Sequence, residues 1–379
     1  MKKYLLMLCA VAVLAGCAAT DKKEAGPAFF PALPQPPKLQ FLLSITTESD
    51  IGGGSSSGLK DWLIGQRRGS KQIARPQDVG STKGKIYVLD RTFKKVLVVD
   101  LAKKSLSYIQ DEREGALADP MGLWVTADGA KYVADTVRKQ VLVYDQEDKF
   151  VRAYGEKEQF ERPMDVAVHG KRIYVVDFTK SALVVLDADS GKTVQTIGDS
   201  GPQELQFNRP THVTVDRSGN VYVNDSFNYR IQKFDPTGKH VKNYGYQGDT
   251  LGGFARPKGV AVDERGLVYA VDAAFENTQI FDPESTDLLL FFGGYGPHRG
   301  SMYLPSSLHI DYENVEYFQQ FIDKDFKVEY LVYVGNLLGD KKLNVYGFGH
   351  WIGAPLPVVE RTPVFAVPAD KKGDGGKKK

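Results

Sequence analysis

Residues 207–245 read FNRPTHVTVDRSGNVYVNDSFNYRIQKFDPTGKHVKNYG. Val213-Thr214-Val215 is an apolar-edged run that stops at Asp-Arg-Ser-Gly, a sequence of turn formers. Val221-Tyr222-Val223 follows, then a polar connection, then Ile231-Gln232-Lys233-Phe234 and a second turn, Asp-Pro-Thr-Gly. Val241 to Tyr244 complete a fourth segment. The unit therefore reads as four short antiparallel strands.

The same pattern recurs outward in both directions. Residues 254–293 read FARPKGVAVDERGLVYAVDAAFENTQIFDPESTDLLLFFG, and earlier copies open with ARPQDV at 74, ADPMGL at 118 and ERPMDV at 161. The anchoring prolines are Pro76, Pro120, Pro163, Pro210, Pro257 and Pro305, spaced 44, 43, 47, 47 and 48 apart. Five units place an aspartate 14 or 15 residues after the proline: Asp90, Asp135, Asp177, Asp225 and Asp272. Four strands at this period are the signature of a propeller blade. One blade cannot bury both of its faces, so neighbours stack around an axis and ring closure protects the end blades. The sixth unit supplies only three strands, ending at Leu343-Asn344-Val345-Tyr346, and Leu39–Ile45 is the segment expected to complete it. The alternative closing segment is Val358 to Val367. The fold class expected is all-β: a six-bladed propeller of four-stranded antiparallel blades, closed by an N-terminal strand.

These units resemble NHL repeats (P-x-G-h-A-V-D, then G-x-h-Y-V-x-D, then R-h-x-x-F-D), most closely over residues 207–293 and in outline from 74 to 349. Repeats one and three carry Asp where that family prefers the first Gly. Repeat six has Asn336 in place of the blade aspartate and an insertion around ENVEYFQQFIDKDF, residues 313–326, expected to form a short helix. The resemblance implies the six-bladed fold. It implies little about activity, because the family spans envelope sensor domains, RNA-binding modules and a lyase.

Composition narrows the classes further. The 379 residues are 42% hydrophobic and 25% charged, so wholesale disorder is excluded. With 49 basic and 47 acidic residues the formal charge is +2, and no global field gathers nucleic acid, which is excluded as a partner. The two cysteines, Cys9 and Cys17, both precede the repeats, which rules out a disulfide scaffold or cysteine-ligated zinc in the folded part.

The chain opens MKKYLLMLCAVAVLAGC. Lys2 and Lys3 precede an apolar run, Tyr4 to Leu14, too short to span a ~30 Å hydrocarbon core but suited to a signal peptide. Leu14-Ala15-Gly16-Cys17 resembles a bacterial lipobox. That resemblance implies cleavage after residue 16 and lipidation of Cys17, which would hold the protein to a lipid bilayer. The alternative is an ordinary signal peptide with a cysteine near the cut. Ala18 in the next position, by resemblance to enteric lipoproteins, implies the outer membrane as the address within the cell envelope. Residues 17–37 are proline-rich and read as a tether of polyproline II character reaching up to ~60 Å. Residues 38–349 are the propeller, with 38–46 the closing strand and 47–73 a loop, and 350–379 are an extension with a basic tail.

The repeated aspartates are too far apart to converge on one ion, and a turn-capping role is expected for them. The arginines before the prolines (Arg75, Arg162, Arg209, Arg256) are expected to bridge blades. Two residues after each proline stand Asp78, Gly122, Asp165, His212, Gly259 and Ser307, which the fold would place in a ring near one mouth of the channel. Asp78, Asp165 and His212 are thus candidates for binding a ligand, and the rival reading makes them the centre of a metal-dependent lyase or hydrolase holding a divalent cation. No cofactor is otherwise implied, and no catalytic residue is assigned. His309, one strand step away, is expected to point into blade packing.

The connections between blades and those after each second strand open on one face. That face carries Phe93, Arg138, Phe178, Phe227, Tyr229 and Phe275, and the segment 47–72 is expected there too. Aromatic and arginine side chains on loops held by a rigid scaffold suit protein binding. The reading is a non-catalytic platform for an envelope protein or exported peptide.

Overall fold

The computed structural model describes residues 26–53, 71–109, 113–156 and 158–357. The lipobox and Cys17, residues 54–70 of the segment 47–72, and the alternative closing segment Val358 to Val367 lie outside the described residues.

Five four-stranded antiparallel sheets and one five-stranded sheet make up the blades. In blade 1 the strands, from the axis outward, are Pro76–Thr82, Lys85–Asp90, Lys95–Asp100 and Ser105–Tyr108. Blade 4, the unit quoted first, runs His212–Val215, Val221–Asp225, Arg230–Phe234 and His240–Tyr244. The inner strands of blades 2, 3 and 5 are Pro120–Val125, Pro163–His169 and Pro257–Val262.

Alternation along each strand drives the stacking, because successive side chains point to opposite faces. Val221 and Val223 pack with Tyr174, Val176 and Leu183 of blade 3, whereas Tyr222 packs with Val260 and Val268 of blade 5. Six apolar clusters result, one at each blade junction, including a cluster that joins Val88, Leu97 and Val99 of blade 1 to Leu331, Leu343 and Val345 of blade 6. The ring is therefore closed, and each blade is buried on both faces.

Closure uses the N-terminal strand as expected. Leu39–Ile45 pairs with Leu343–Trp351, which pairs with Phe326–Asn336 and then with the inner strand Pro305–Asp311. One boundary differs from the sequence reading. Ala28–Phe30, expected in the tether, forms a fifth strand against Leu39–Ile45. Its aromatic pair explains why. Phe29 packs on Phe326 and Trp351 with ring centroids at 5.5 and 5.8 Å, and Phe30 meets Phe292 and Tyr346. Burying two such rings outweighs the pull of the flanking prolines toward free extended chain.

The insertion in blade 6 forms a 3₁₀ helix, Val315–Phe321. Before it, Asn314 accepts the Gly84 N–H at 2.6 Å and donates to the Thr82 carbonyl at 2.9 Å, gripping the turn between the first two strands of blade 1. The insertion is a clamp on the closing seam.

Candidate functional site

The repeated aspartate does more than cap its own turn. In blade 1 one Asp90 oxygen accepts the N–H groups of Thr92 and Phe93 in the following turn, and the other accepts those of Ala74 and Arg75 in the arriving connection. Asp135, Asp177 and Asp272 repeat the arrangement. Each carboxylate staples the incoming chain to the turn that forms the loop face. Fully buried and saturated with donors, these groups are structural. Blade 4 varies it: Asp225 takes the Asn208 N–H and the side chains of Asn228, Arg230 and Gln232.

Two of the arginines before the prolines stack on an aromatic ring. Arg162 and Arg209 both lie over the Phe178 ring, with guanidinium carbons 4.8 and 5.5 Å from its centre, and Arg209 also lies over Phe227 at 5.6 Å. Arg209 belongs to blade 4 and Phe178 to blade 3, so this arginine bridges blades as expected. Arg75 and Arg256 form no ion pair among the described residues.

Along the axis, all six inner strands contribute to a central cavity of about 140 Å³ whose lining includes Asp78, Asp165, Thr214 and His309 amid aliphatic side chains. The two carboxylates are engaged. Asp78 accepts the N–H of Val79 at 2.8 Å and, across the blade boundary, that of Leu123 at 2.7 Å. Asp165 does the same with Val166 and Val213 at 2.8 and 2.9 Å. Burial pushes the Asp78 carboxyl up to about 7. Burial, with the nearby Asp78 charge second, raises Asp165 well above the usual carboxylate range.

His212 does not join them. It is buried, its Nδ1 lies 3.0 Å from the Thr211 hydroxyl, and it is not part of the cavity lining. Burial, followed by the charge of Lys258, lowers its pKa to about 3, so the ring is neutral. His309 departs from expectation in the other direction. It lines the cavity, stacks parallel to Tyr333 at 6.2 Å, and shares a 2.9 Å hydrogen bond with Ser81 of blade 1. The reason is plain alternation: His309 lies two residues beyond Ser307 and so shares its face, and the equivalent positions Gly80, Trp124, Thr214 and Ala261 line the cavity as well. Among the described residues no group of three or more His, Cys, Asp or Glu side chains is placed to hold a metal ion.

On the loop face, Phe93 and Phe227 are 41% and 51% exposed. Phe178, Tyr229 and Phe275 are half-buried, and Tyr229 packs against the blade 4–5 core. Arg138 is held down by the carbonyls of Glu114 and Ala116, both at 2.7 Å, and is less free than expected. It nonetheless borders an open hollow of about 620 Å³, where Arg138, Lys139 and Lys180 face Glu156, Glu158 and Glu161. The segment after the closing strand does not gather over the mouth in its described part. Glu48, in the 3₁₀ helix Glu48–Ile51, accepts the Leu106 N–H at 2.8 Å, so this stretch covers the outer strand of blade 1. Ile51 enters the seam core, which draws the chain outward.

Comparison with known proteins agrees with this geometry. A family model described as a 6-bladed beta-propeller matches residues 156–246. The fold is a six-bladed β-propeller. Among solved structures, a protein of unknown function from Bacteroides thetaiotaomicron is 16% identical, with a TM-score of 0.56 over 82% of this chain and 75% of that one. An auxiliary nutrient binding protein from Bacteroides ovatus is 13% identical, with a TM-score of 0.51 over 70% of this chain and 66% of the other. Virginiamycin B lyase from Staphylococcus aureus is 12% identical, at 0.49 over 73% and 86%. At these identities the likeness is one of fold. No curated protein matches the sequence.

Proposed function

We propose that this chain is a lipid-anchored propeller of the NHL type in the cell envelope, attached through acylated Cys17, that binds a protein or exported peptide on its loop face without catalysing a reaction. The observation that carries the reading is the pair of exposed rings, Phe93 and Phe227, on turns stapled by the buried Asp90 and Asp225. Rigid turns present aromatic anchors at little entropic cost, which suits hot-spot binding. The mixed-charge hollow between blades 2 and 3 adds polar selectivity beside them.

Metal-dependent chemistry at Asp78, Asp165 and His212 draws no support from the donor geometry. Both carboxylates are committed to backbone N–H groups, and the imidazole lies outside their cavity.

The binding reading is tested by capture from envelope extracts with three proteins: the natural chain, Phe93→Ser/Phe227→Ser, and Val194→Ser on an outer strand. A partner retained by the natural chain and Val194→Ser, but lost with the double variant, supports it. Equal recovery by all three sinks it. Membrane attachment is read separately, as incorporation of labelled fatty acid that Cys17→Ser abolishes.

A further inference from the structure

The outer rims of the blades differ in how they meet water. A sheet edge is ordinarily guarded by charged side chains or covered by other chain. The outer strands Phe150–Tyr154, Thr193–Ile197 and His240–Tyr244 carry Arg152, Gln195 and Lys242. The stretch with Glu48 covers the rim of blade 1, and Ala28–Phe30 covers that of blade 6. Blade 5 has neither protection. Its outer strand, Leu288–Gly293, reads LLLFFG, and among the described residues no strand pairs with its outer edge.

Further apolar side chains gather at this rim. Phe291 stands opposite Gln279 in the strand pair and shares its face. Gln279 grips the connection arriving from blade 4, accepting the Gly252 N–H at 3.0 Å and donating to the Gly253 carbonyl at 2.8 Å. In that connection the Tyr246 hydroxyl donates to the Leu251 carbonyl at 3.2 Å. A methyl group added at Gly252 would lie 3.8 Å from both Leu288 and Tyr246. Tyr246, Leu251, Leu289 and Phe291 therefore form one patch, each between 47% and 65% exposed. Asp249 is the one charged residue in residues 246–254 and 288–293.

The course of the N-terminal segment says what covers the patch. Phe30 lies against Phe292, the residue after Phe291, with ring centroids 6.2 Å apart, and the Arg299 guanidinium donates to the Gly26 carbonyl. The segment thus joins the ring beside the blade 5 rim. Gly26 is nine residues beyond Cys17. Nine extended residues reach at most ~30 Å, about half the span expected of the tether from sequence. A lipid at Cys17 is held closest to this side of the ring.

We infer that the rim of Tyr246, Leu251, Leu289 and Phe291 seats edge-on in the interface of a zwitterionic bilayer. The inference rests on the proposed acylation of Cys17. Tyrosine, phenylalanine and leucine suit the headgroup–acyl boundary, and buried apolar area there reinforces an acyl anchor. Asp249 gives an anionic surface no advantage. Edge-on seating leaves the loop face, with Phe93 and Phe227, clear of the lipid for a partner.

The test is fluorescence quenching on the full acylated protein, reconstituted in vesicles of phosphatidylcholine and phosphatidylethanolamine. Acylation occupies the Cys17 thiol and cleavage removes Cys9, so one added cysteine carries the label. Gln247→Cys places it in the patch, and Thr196→Cys, on the outer strand of blade 3, is the reference. Brominated acyl chains should quench the label at position 247 by roughly half, because an apolar face sinks about 5–10 Å into the boundary. The label at position 196 should be nearly unaffected. Leu251→Ser/Phe291→Ser, at two exposed positions, should bring quenching at 247 down to the level at 196. Equal quenching at the two positions overturns the inference, and this comparison decides even if the double variant does not fold. Quenching at 247 that a folded double variant leaves intact overturns it too. A label at 247 reached neither by lipid nor by aqueous iodide overturns it in favour of a second copy of the chain on the rim. Incorporation of labelled fatty acid separates the causes: a chain without it fails on the anchor, whereas an acylated chain quenched alike at both positions fails on the rim alone.

Discussion

The Asp165 carboxylate on the inner strand of blade 3 accepts the backbone N–H of Val213 on the inner strand of blade 4 at 2.9 Å. A side chain thus joins two blades where their strands are closest to the axis. Asp165→Ala leaves that N–H and the N–H of Val166 buried without acceptors, at ~1–3 kcal/mol each. Urea denaturation should show a loss of several kcal/mol with an unchanged slope. A loss below 1 kcal/mol would mean that water replaces the carboxylate.

Asp165 and its blade 1 counterpart Asp78 make stability depend on pH. The Asp78 carboxyl rises from 3.8 to about 7 on folding, so the folded chain holds its proton where the unfolded chain has released it. The contribution is fully present below about 3.8 and is lost as pH climbs toward about 7. Asp165, raised in the same direction, acts with the same sign. The double variant Asp78→Asn/Asp165→Asn should be less stable at pH 5 because an amide accepts fewer N–H bonds. Its stability should nonetheless change less between pH 5 and pH 8 than that of the natural chain. An equal pH slope in both would count against carboxyls that hold their protons in the folded chain.

His212 works in the opposite sense. Its folded pKa is depressed from 6.5 to about 3, so its contribution is present above 6.5 and lost as pH falls toward 3. Burial is the main cause, and Lys258 the second. His212→Gln, which keeps a polar group near Thr211, should flatten the loss of melting temperature between pH 6.5 and pH 4. An unchanged acid limb would show that other groups set it.

Much of the ring was legible because its markers repeat. Prolines at nearly constant spacing, each followed by an aspartate, announce blade after blade, and Leu39–Ile45 stood out as the strand the last blade lacked. What escaped is what occurs once. Ala28–Phe30 lies between prolines, and its partners, Phe326 and Trp351, are on strand extensions peculiar to blade 6. The imidazole of His309 is likewise unique, at a position held by Gly80, Trp124, Thr214 and Ala261 where other blades line the cavity.

Gly122 shows what the close approach of inner strands demands. A methyl group there would overlap the Asp165 carboxylate and come within 2.8 Å of the Met164 carbonyl, both fixed by the blade 3 backbone. Gly170 has a φ of +55° in an open turn, with nothing within 4 Å of an added methyl. Gly122→Ala should therefore cost several kcal/mol through overpacking, and Gly170→Ala about 1 kcal/mol through backbone strain alone. Thermal melting of the two variants in one buffer compares them directly, and a reversed order would mean that the inner strands can spread.

Asn336 tests why blade 6 abandons the repeated aspartate. Its carbonyl oxygen accepts the Tyr303 N–H at 3.0 Å, the service the aspartate performs on the arriving chain in other blades. Its amide donates to the Lys341 carbonyl at 2.9 Å, inside a longer turn than the others have. A carboxylate would keep the first bond and set a negative oxygen against a carbonyl in the second, in a position with no exposure to solvent. Asn336→Asp, which restores the consensus of the other five units, should therefore destabilise the protein by ~1–3 kcal/mol at pH 8. The loss should shrink at pH 4, where a protonated carboxyl can donate to Lys341 again. A stabilised variant, or a loss independent of pH, would show that the asparagine's donor is not what the turn requires.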